Sequence, residues 1–258
     1  MELHIPEILF SFNTAAGIVT VVSAIGLIWI GAARMTTGRS ERYATVGILL
    51  VMLIGWYALA AFLGRANVYW AGNNPVVPTI LFGILIPIVV GFYGLTRNAR
   101  FARLVEAVPL SALAAVQVYR VLGAIFLVLW ADGQLPWQFA LPAGIGDVAT
   151  GVLAVVVAGM LAAGAAGANQ AAYAWCIFGI ADLVVAVTTG ALTSPGIANL
   201  LSRDAPNMLI TAYQLVMIPT FAVPLAIILH GLCLWKLQRS RGGVSPADAV
   251  SLYDLRSL

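Results

Sequence analysis

Polar and charged residues are so sparse along this chain that seven uninterrupted apolar stretches stand out, at residues 6–33, 43–63, 75–95, 109–131, 139–163, 172–192 and 206–235. Each is long enough for a helix to cross about 30 Å of hydrocarbon, which takes roughly 20 residues at about 1.5 Å per residue. Barrel strands alternate over about ten residues, and these stretches do not alternate, so helices are predicted. The pattern therefore predicts an all-α membrane protein: a seven-helix transmembrane domain over residues 1–236 and a short cytoplasmic tail, 237–258, in which Ser245-Pro246-Ala247-Asp248 followed by Val250, Tyr253 and Leu255 predicts a capped short helix. Pro87, with Gly83, Gly91 and Gly94 around it, predicts a bend in the third helix, where neighbours can satisfy the freed carbonyl. The last stretch would be about 45 Å long as one straight helix. It must therefore tilt, protrude or bend, and Pro219 and Pro224 mark the bend.

Composition agrees, since 62% hydrophobic and 9% charged residues lie far from the averages of soluble domains. Charge then orients the chain. Arg34, Arg39 and Arg42 follow the first stretch, Arg97, Arg100 and Arg103 the third, and Lys236, Arg239, Arg241 and Arg256 the last, against Arg65 and Arg203 on the other side. Short loops rich in Lys and Arg stay cytoplasmic, which puts the N-terminus outside and the C-terminus inside, in a bacterial-type cytoplasmic (inner) membrane. The start carries Glu2 and Glu7 in place of a basic segment, so no cleaved signal peptide is expected. Arginines every third residue over 97–108, with apolar residues between, predict a short interfacial helix. The net charge of +3 reflects these topological arginines and gives no support to nucleic-acid binding. No P-loop, GxSxG, HExxH or paired CxxC occurs, and the loops are too short for a catalytic domain.

Three consecutive stretches carry ionisable residues that lipid should exclude: Arg120, Asp147 and Asp182. Arg120 and Asp182 each lie about ten residues from either end of their stretch, near the midplane. Asp147 lies near the midplane if its helix starts at Pro136, and in the outer third if it starts at Pro142. Gln117 shares a helix face with Arg120, and Tyr213 and Gln214 of the last stretch are expected within reach. One guanidinium against two carboxylates leaves one negative charge, which calls for a proton or a cation. Gly144-Ile145-Gly146-Asp147 and Gly179-Ile180-Ala181-Asp182 match across helices of opposite direction, as an inverted repeat would. The leading expectation is a small secondary transporter or proton-coupled permease, with Arg120, Asp147, Asp182, Gln117, Tyr213 and Gln214 as the ligand- or proton-binding set. The alternative is a seven-helix sensor or accessory subunit whose cluster is structural and whose cytoplasmic tail engages a protein partner.

Other polar residues take quieter readings. Ser11, Asn13, Thr14, Thr20 and Ser23 are expected to bond neighbouring helices, Trp56 and Tyr57 to be scaffold, and Tyr69 and Trp70 to anchor at the headgroups. No cofactor or metal is predicted. Haem on His230 is disfavoured because His4, the other histidine, falls across the membrane, so His230 is expected near the inner end, bonded to a neighbour. Cys176 and Cys233 read as reduced packing residues. Retinal chemistry is disfavoured because Lys236, the lone lysine, lies at the membrane edge. The expected partners are the lipid bilayer and a small-molecule or ion ligand.

Overall fold

The computed structural model describes residues 7–72 and 79–241, apart from the side chains of Glu7, Ile8, Phe10, Gln214 and Arg241. His4, the loop residues Asn73, Asn74 and Pro75, and the capped tail helix expected after residue 244 lie outside the described residues. The described chain is all helical, without a strand, and has seven helices long and apolar enough to cross a membrane. Large apolar side chains such as Val51, Phe62, Phe82, Val89 and Val155 face outward around the bundle, as a lipid-exposed surface requires.

Three spans are single helices up to a short basic connection: α1 (Glu7–Arg34), α2 (Arg39–Arg65) and α3 (Thr79–Arg97). The predicted interfacial helix is α4 (Ala99–Ala107), opened by Asn98, whose side chain accepts from the Arg100 and Phe101 amides. It is tied down at both sides rather than left on the lipid. Arg103 pairs with Glu41 of α2, and Lys236 Nζ donates to the carbonyls of Val105 (3.0 Å), Glu106 (2.7 Å) and Val108 at the helix C-terminus, where a cation belongs.

The fourth span is not the continuous helix expected. It runs as α5 (Leu110–Ala115), a nine-residue 3-10 segment (Val116–Ala124) and α6 (Ile125–Ala131). The segment contains no proline, so packing against its neighbours, not a local breaker, accounts for the tighter winding. Such long 3-10 runs are uncommon, and their three-residue turn eclipses residues i and i+3. Gln117, Arg120 and Gly123 therefore form one row.

The fifth span, α7 (Trp137–Ala162), starts right after Pro136 and carries Pro142 inside, so Asp147 sits near its middle. A tight turn with Gly164 and Gly167 in left-handed conformation joins it to α8 (Ala168–Thr193).

The seventh span begins as a single 3-10 turn (Leu209–Thr211) and α9 (Tyr213–Met217), passes through a π-helical turn (Ile218–Ala222), and continues as α10 (Val223–Arg241). Pro219 lies inside the π turn. Pro224 has no amide to give the Thr220 carbonyl, and Trp56 Nε1 of α2 donates to it instead at 3.3 Å. Trp56 and Tyr57 also close on Phe221, with ring centroids 4.6 and 5.0 Å away. The α10 helix is enclosed on nearly all sides, with His230, Cys233 and Leu237 fully buried, which explains why it is apolar around its whole circumference. Two of the α1 polar residues, Asn13 and Thr20, bond their own helix instead of a neighbour, donating to the Leu9 (3.0 Å) and Ala16 (2.8 Å) carbonyls.

Candidate functional site

The 3-10 row brings Arg120 into the space between α7, α8 and α10, and both aspartates meet it there. Asp147 Oδ1 lies 2.8 Å from Nε and 2.6 Å from Nη2, and Asp182 Oδ2 also accepts from Nη2. Nη1 faces the Gly179 carbonyl at 3.3 Å and His230 Nε2 at 3.4 Å. Four N–H donors of the guanidinium meet an acceptor in hydrogen-bond geometry and Nη2 also lies in the ion pair with Asp147, so Arg120 is engaged on every nitrogen by the protein itself. The charge count is unchanged by His230, which accepts through Nε2 and so carries its ring proton on Nδ1.

Glycines shape the nest. A Cβ on Gly123 would fall on the Asp147 carboxyl, one on Gly146 on the Asp182 carboxyl, and one on Gly179 on the His230 ring. A Cβ on Gly151 would stand 2.8 Å from the Val121 amide nitrogen, and one on Gly144 2.7 Å from Leu127, so α7 can approach the fourth span only where it lacks side chains. The two Gly-Ile-x-Asp segments do set both acids on one guanidinium, but their glycines face different partners.

The predicted residues separate into two groups. Gln117 is fully buried beside Arg120 in the row and donates to the Ala226 carbonyl at 3.1 Å. Tyr213 packs against Gly64, with the Arg65 guanidinium 4.9 Å above its ring, at the bundle end away from α4. Gln214 follows it in α9, and its side chain is outside the described residues. His230 belongs to the cluster, contrary to the expected place near the helix end, because α10 continues to Arg241 and leaves His230 near the middle of the span. Trp175 of α8 stacks on it at 4.6 Å and donates Nε1 to the Thr150 carbonyl at 3.0 Å. Gln117 Oε1, Thr150 Oγ1 and His230 Nδ1 are buried with no hydrogen-bond partner among the described residues.

Two cavities reach the cluster. One of about 50 Å³ is bounded by Arg120, Asp147 and the α1 residues Phe12, Ala16 and Thr20. The other, about 190 Å³, extends from Asp147 toward the Tyr69 end of the bundle, and the two share Asp147, Leu183, Ile218 and Val223. Tyr69 and Trp70 line the larger one, and Tyr69 is buried against Gly83 rather than set at a lipid surface. Burial pushes the Tyr69 phenol above its ordinary pKa of 10.0, so it enters the cavity wall as a neutral group. Among the described residues no cluster of three or more His, Cys, Asp and Glu has metal-binding geometry.

No curated protein and no solved structure matches this chain. A family model does, over residues 75–238, from the third span through the seventh and so over every residue of the Arg120 nest. The chain belongs to the family described as Domain of unknown function (DUF8737).

Proposed function

We propose that this protein is a small secondary transporter or proton-coupled permease of the cytoplasmic membrane, in which Arg120 clamps two aspartates that take and release a proton. The observation that supports it is the double position of Asp147, which pairs with Arg120 and also borders a cavity leading toward one end of the bundle. One uncompensated charge at this depth costs about 3 kcal/mol on insertion scales, so the cluster holds one proton or one monovalent cation. Gln117, adjoining Arg120 in the row, adds a buried polar group to the set, its Oε1 without a hydrogen-bond partner among the described residues. The arginines at the α4 end support an orientation with that end in the cytoplasm and the N-terminus outside. Cysteine labelling near residue 132 from the exterior and near residue 166 from the cytoplasm checks it, and the opposite pattern rejects it.

The test is charge movement on a solid-supported membrane, screened over cationic, anionic and neutral small solutes. At least one class should evoke a current, or a pH change inside proteoliposomes where the exchange is electroneutral, that Asp147→Asn and Asp182→Asn abolish in folded protein, since asparagine keeps the shape but exchanges no proton. If no class evokes either and the variants only melt earlier, the cluster is a scaffold.

The second reading, a sensor or accessory subunit, is favoured by the engagement of every guanidinium nitrogen inside the protein, which suits a pin between helices. Co-purification of a fixed partner through the tail would support it.

A further inference from the structure

The 190 Å³ cavity has a lopsided chemistry. Its walls are apolar and aromatic, with Tyr69, Trp70, Phe126 and Phe139 among them, and Asp147 is the one charged residue that borders it. The wall hydroxyls of Thr79, Ser194 and Thr211 are spent on the backbone, donating to the carbonyls of Val68, Gly190 and Met208. Asp147 differs: Oδ1 takes the Arg120 contacts, Oδ2 lies against Gly123 of the 3-10 segment, and the residue borders both cavities. The cavity thus presents one strong acceptor and no free cationic donor.

That combination selects the ligand. An anion finds no cationic donor, because the guanidinium is engaged and Tyr69 and Trp70 offer only neutral O–H and N–H groups. A bare metal cation needs about six oxygens, and the cavity supplies one carboxylate. An ammonium on an apolar body meets both demands, donating to the Asp147 carboxylate while its carbon skeleton fills the walls and aromatic faces attract its charge. Size narrows the class further, since a cavity of about 150 Å³ is enough for benzene.

We infer, building on the permease reading, that this cavity binds a small amphiphilic primary amine with a body about one ring in size, its ammonium on the Asp147 carboxylate. The amine and the proton are alternative ways to neutralise the same surplus charge. As R–NH3+ docks, the carboxyl proton of the cluster leaves to water and the ammonium replaces it. Exchange of one amine for one proton follows from the charge count. The ionisable groups facing Asp147 are Arg120 and Tyr119 of the 3-10 segment and Asp182 of α8, with His230 of α10 behind the guanidinium, while α1 contributes Phe12, Ala16 and Thr20.

The full chain in lipid nanodiscs is titrated calorimetrically with 2-phenylethylamine, 2-phenylethanol and phenylacetate, in buffers of different ionisation enthalpy. The amine should bind saturably at one per chain and release a proton, the alcohol more than tenfold more weakly, and phenylacetate not at all. Asp147→Asn should weaken amine binding more than tenfold. Ala186→Phe, which fills the cavity wall without touching Arg120, should abolish it while leaving the thermal midpoint in place. Alcohol or phenylacetate binding as tight as the amine overturns the inference, as does unchanged amine binding by Ala186→Phe. If Asp147→Asn does not fold, Ala186→Phe and the three-ligand comparison decide alone. Exchange of one ammonium for one proton is electroneutral, so transport is read as amine-driven proton movement across proteoliposomes. Amine binding without that movement supports the ligand class and rejects the permease reading, and Asp147-dependent movement driven by another solute class, without amine binding, does the reverse.

Discussion

Gly146→Ala should be among the most damaging single-methyl changes in the chain. The added Cβ would coincide with the Asp182 carboxyl, which cannot retreat without leaving Arg120 Nη2. Forcing an extra methyl into packed surroundings costs about 1–3 kcal/mol, and losing a hydrogen bond to a charged group about 1.5–3 kcal/mol more. Alanine regains about 1 kcal/mol through helix propensity, so the expected net loss is about 1.5–5 kcal/mol. Gly159→Ala is the matched control: it lies on the same helix with nothing within 4 Å of the new Cβ, so only the propensity gain applies. Thermal unfolding in detergent, followed by helical circular dichroism, should show the midpoint of Gly146→Ala several degrees below wild type and that of Gly159→Ala at or above it. Equal midpoints for the two variants would mean that Gly146 does not face Asp182, and the arrangement described for the nest would be wrong.

Removing the guanidinium alone should strand two carboxylates: Arg120→Met is expected to cost about 3–5 kcal/mol, and the triple change Arg120→Met/Asp147→Asn/Asp182→Asn distinctly less, measured by the same unfolding assay. Additive losses would mean the three residues do not interact. Trp56→Phe should cost about 1–3 kcal/mol by leaving the Thr220 carbonyl without a donor. In a Pro224→Ala background the amide regained at position 224 can serve that carbonyl, so the same change should cost little there, and equal costs in both backgrounds would remove Trp56 from the donor role.

The apolar stretches were sufficient to place seven helices, because a lipid-facing surface leaves so little freedom in composition. Arg120 and the two aspartates were legible for the same reason, since each is too costly in hydrocarbon to stand without a partner. What stayed hidden depended on contacts between distant segments. The 3-10 winding of Val116–Ala124 has no local cause in its residues, so nothing in VQVYRVLGA announces it. His230 lies deeper than the apolar pattern predicts because the helix does not end at Trp235: Leu237 remains packed inside, and the helix continues to Arg241. Tyr213 sits one helical stretch away from the nest, against Gly64 and Arg65, a pairing only the folded chain reveals. Tyr69 read as an interfacial anchor because loop aromatics usually are, and its burial depends on the gap that Gly83 leaves in α3.

The π turn at Ile218–Ala222 sets the rotational phase of the last span. A π turn holds one more residue than the α-helical turn it replaces, so the faces of α9 and α10 are out of step by about 100° relative to one continuous α-helix. Above the turn, that offset aims Tyr213 at α2, and below it, His230 at the guanidinium. Deleting one residue from the turn would leave length, hydropathy and both anchoring ends almost untouched while swinging His230 off Arg120, Gln117's acceptor Ala226 off the 3-10 row, and Cys233 off its buried face. The nest is therefore indexed by a count of residues, and the chain can tolerate substitution around the turn far more readily than insertion or deletion within it.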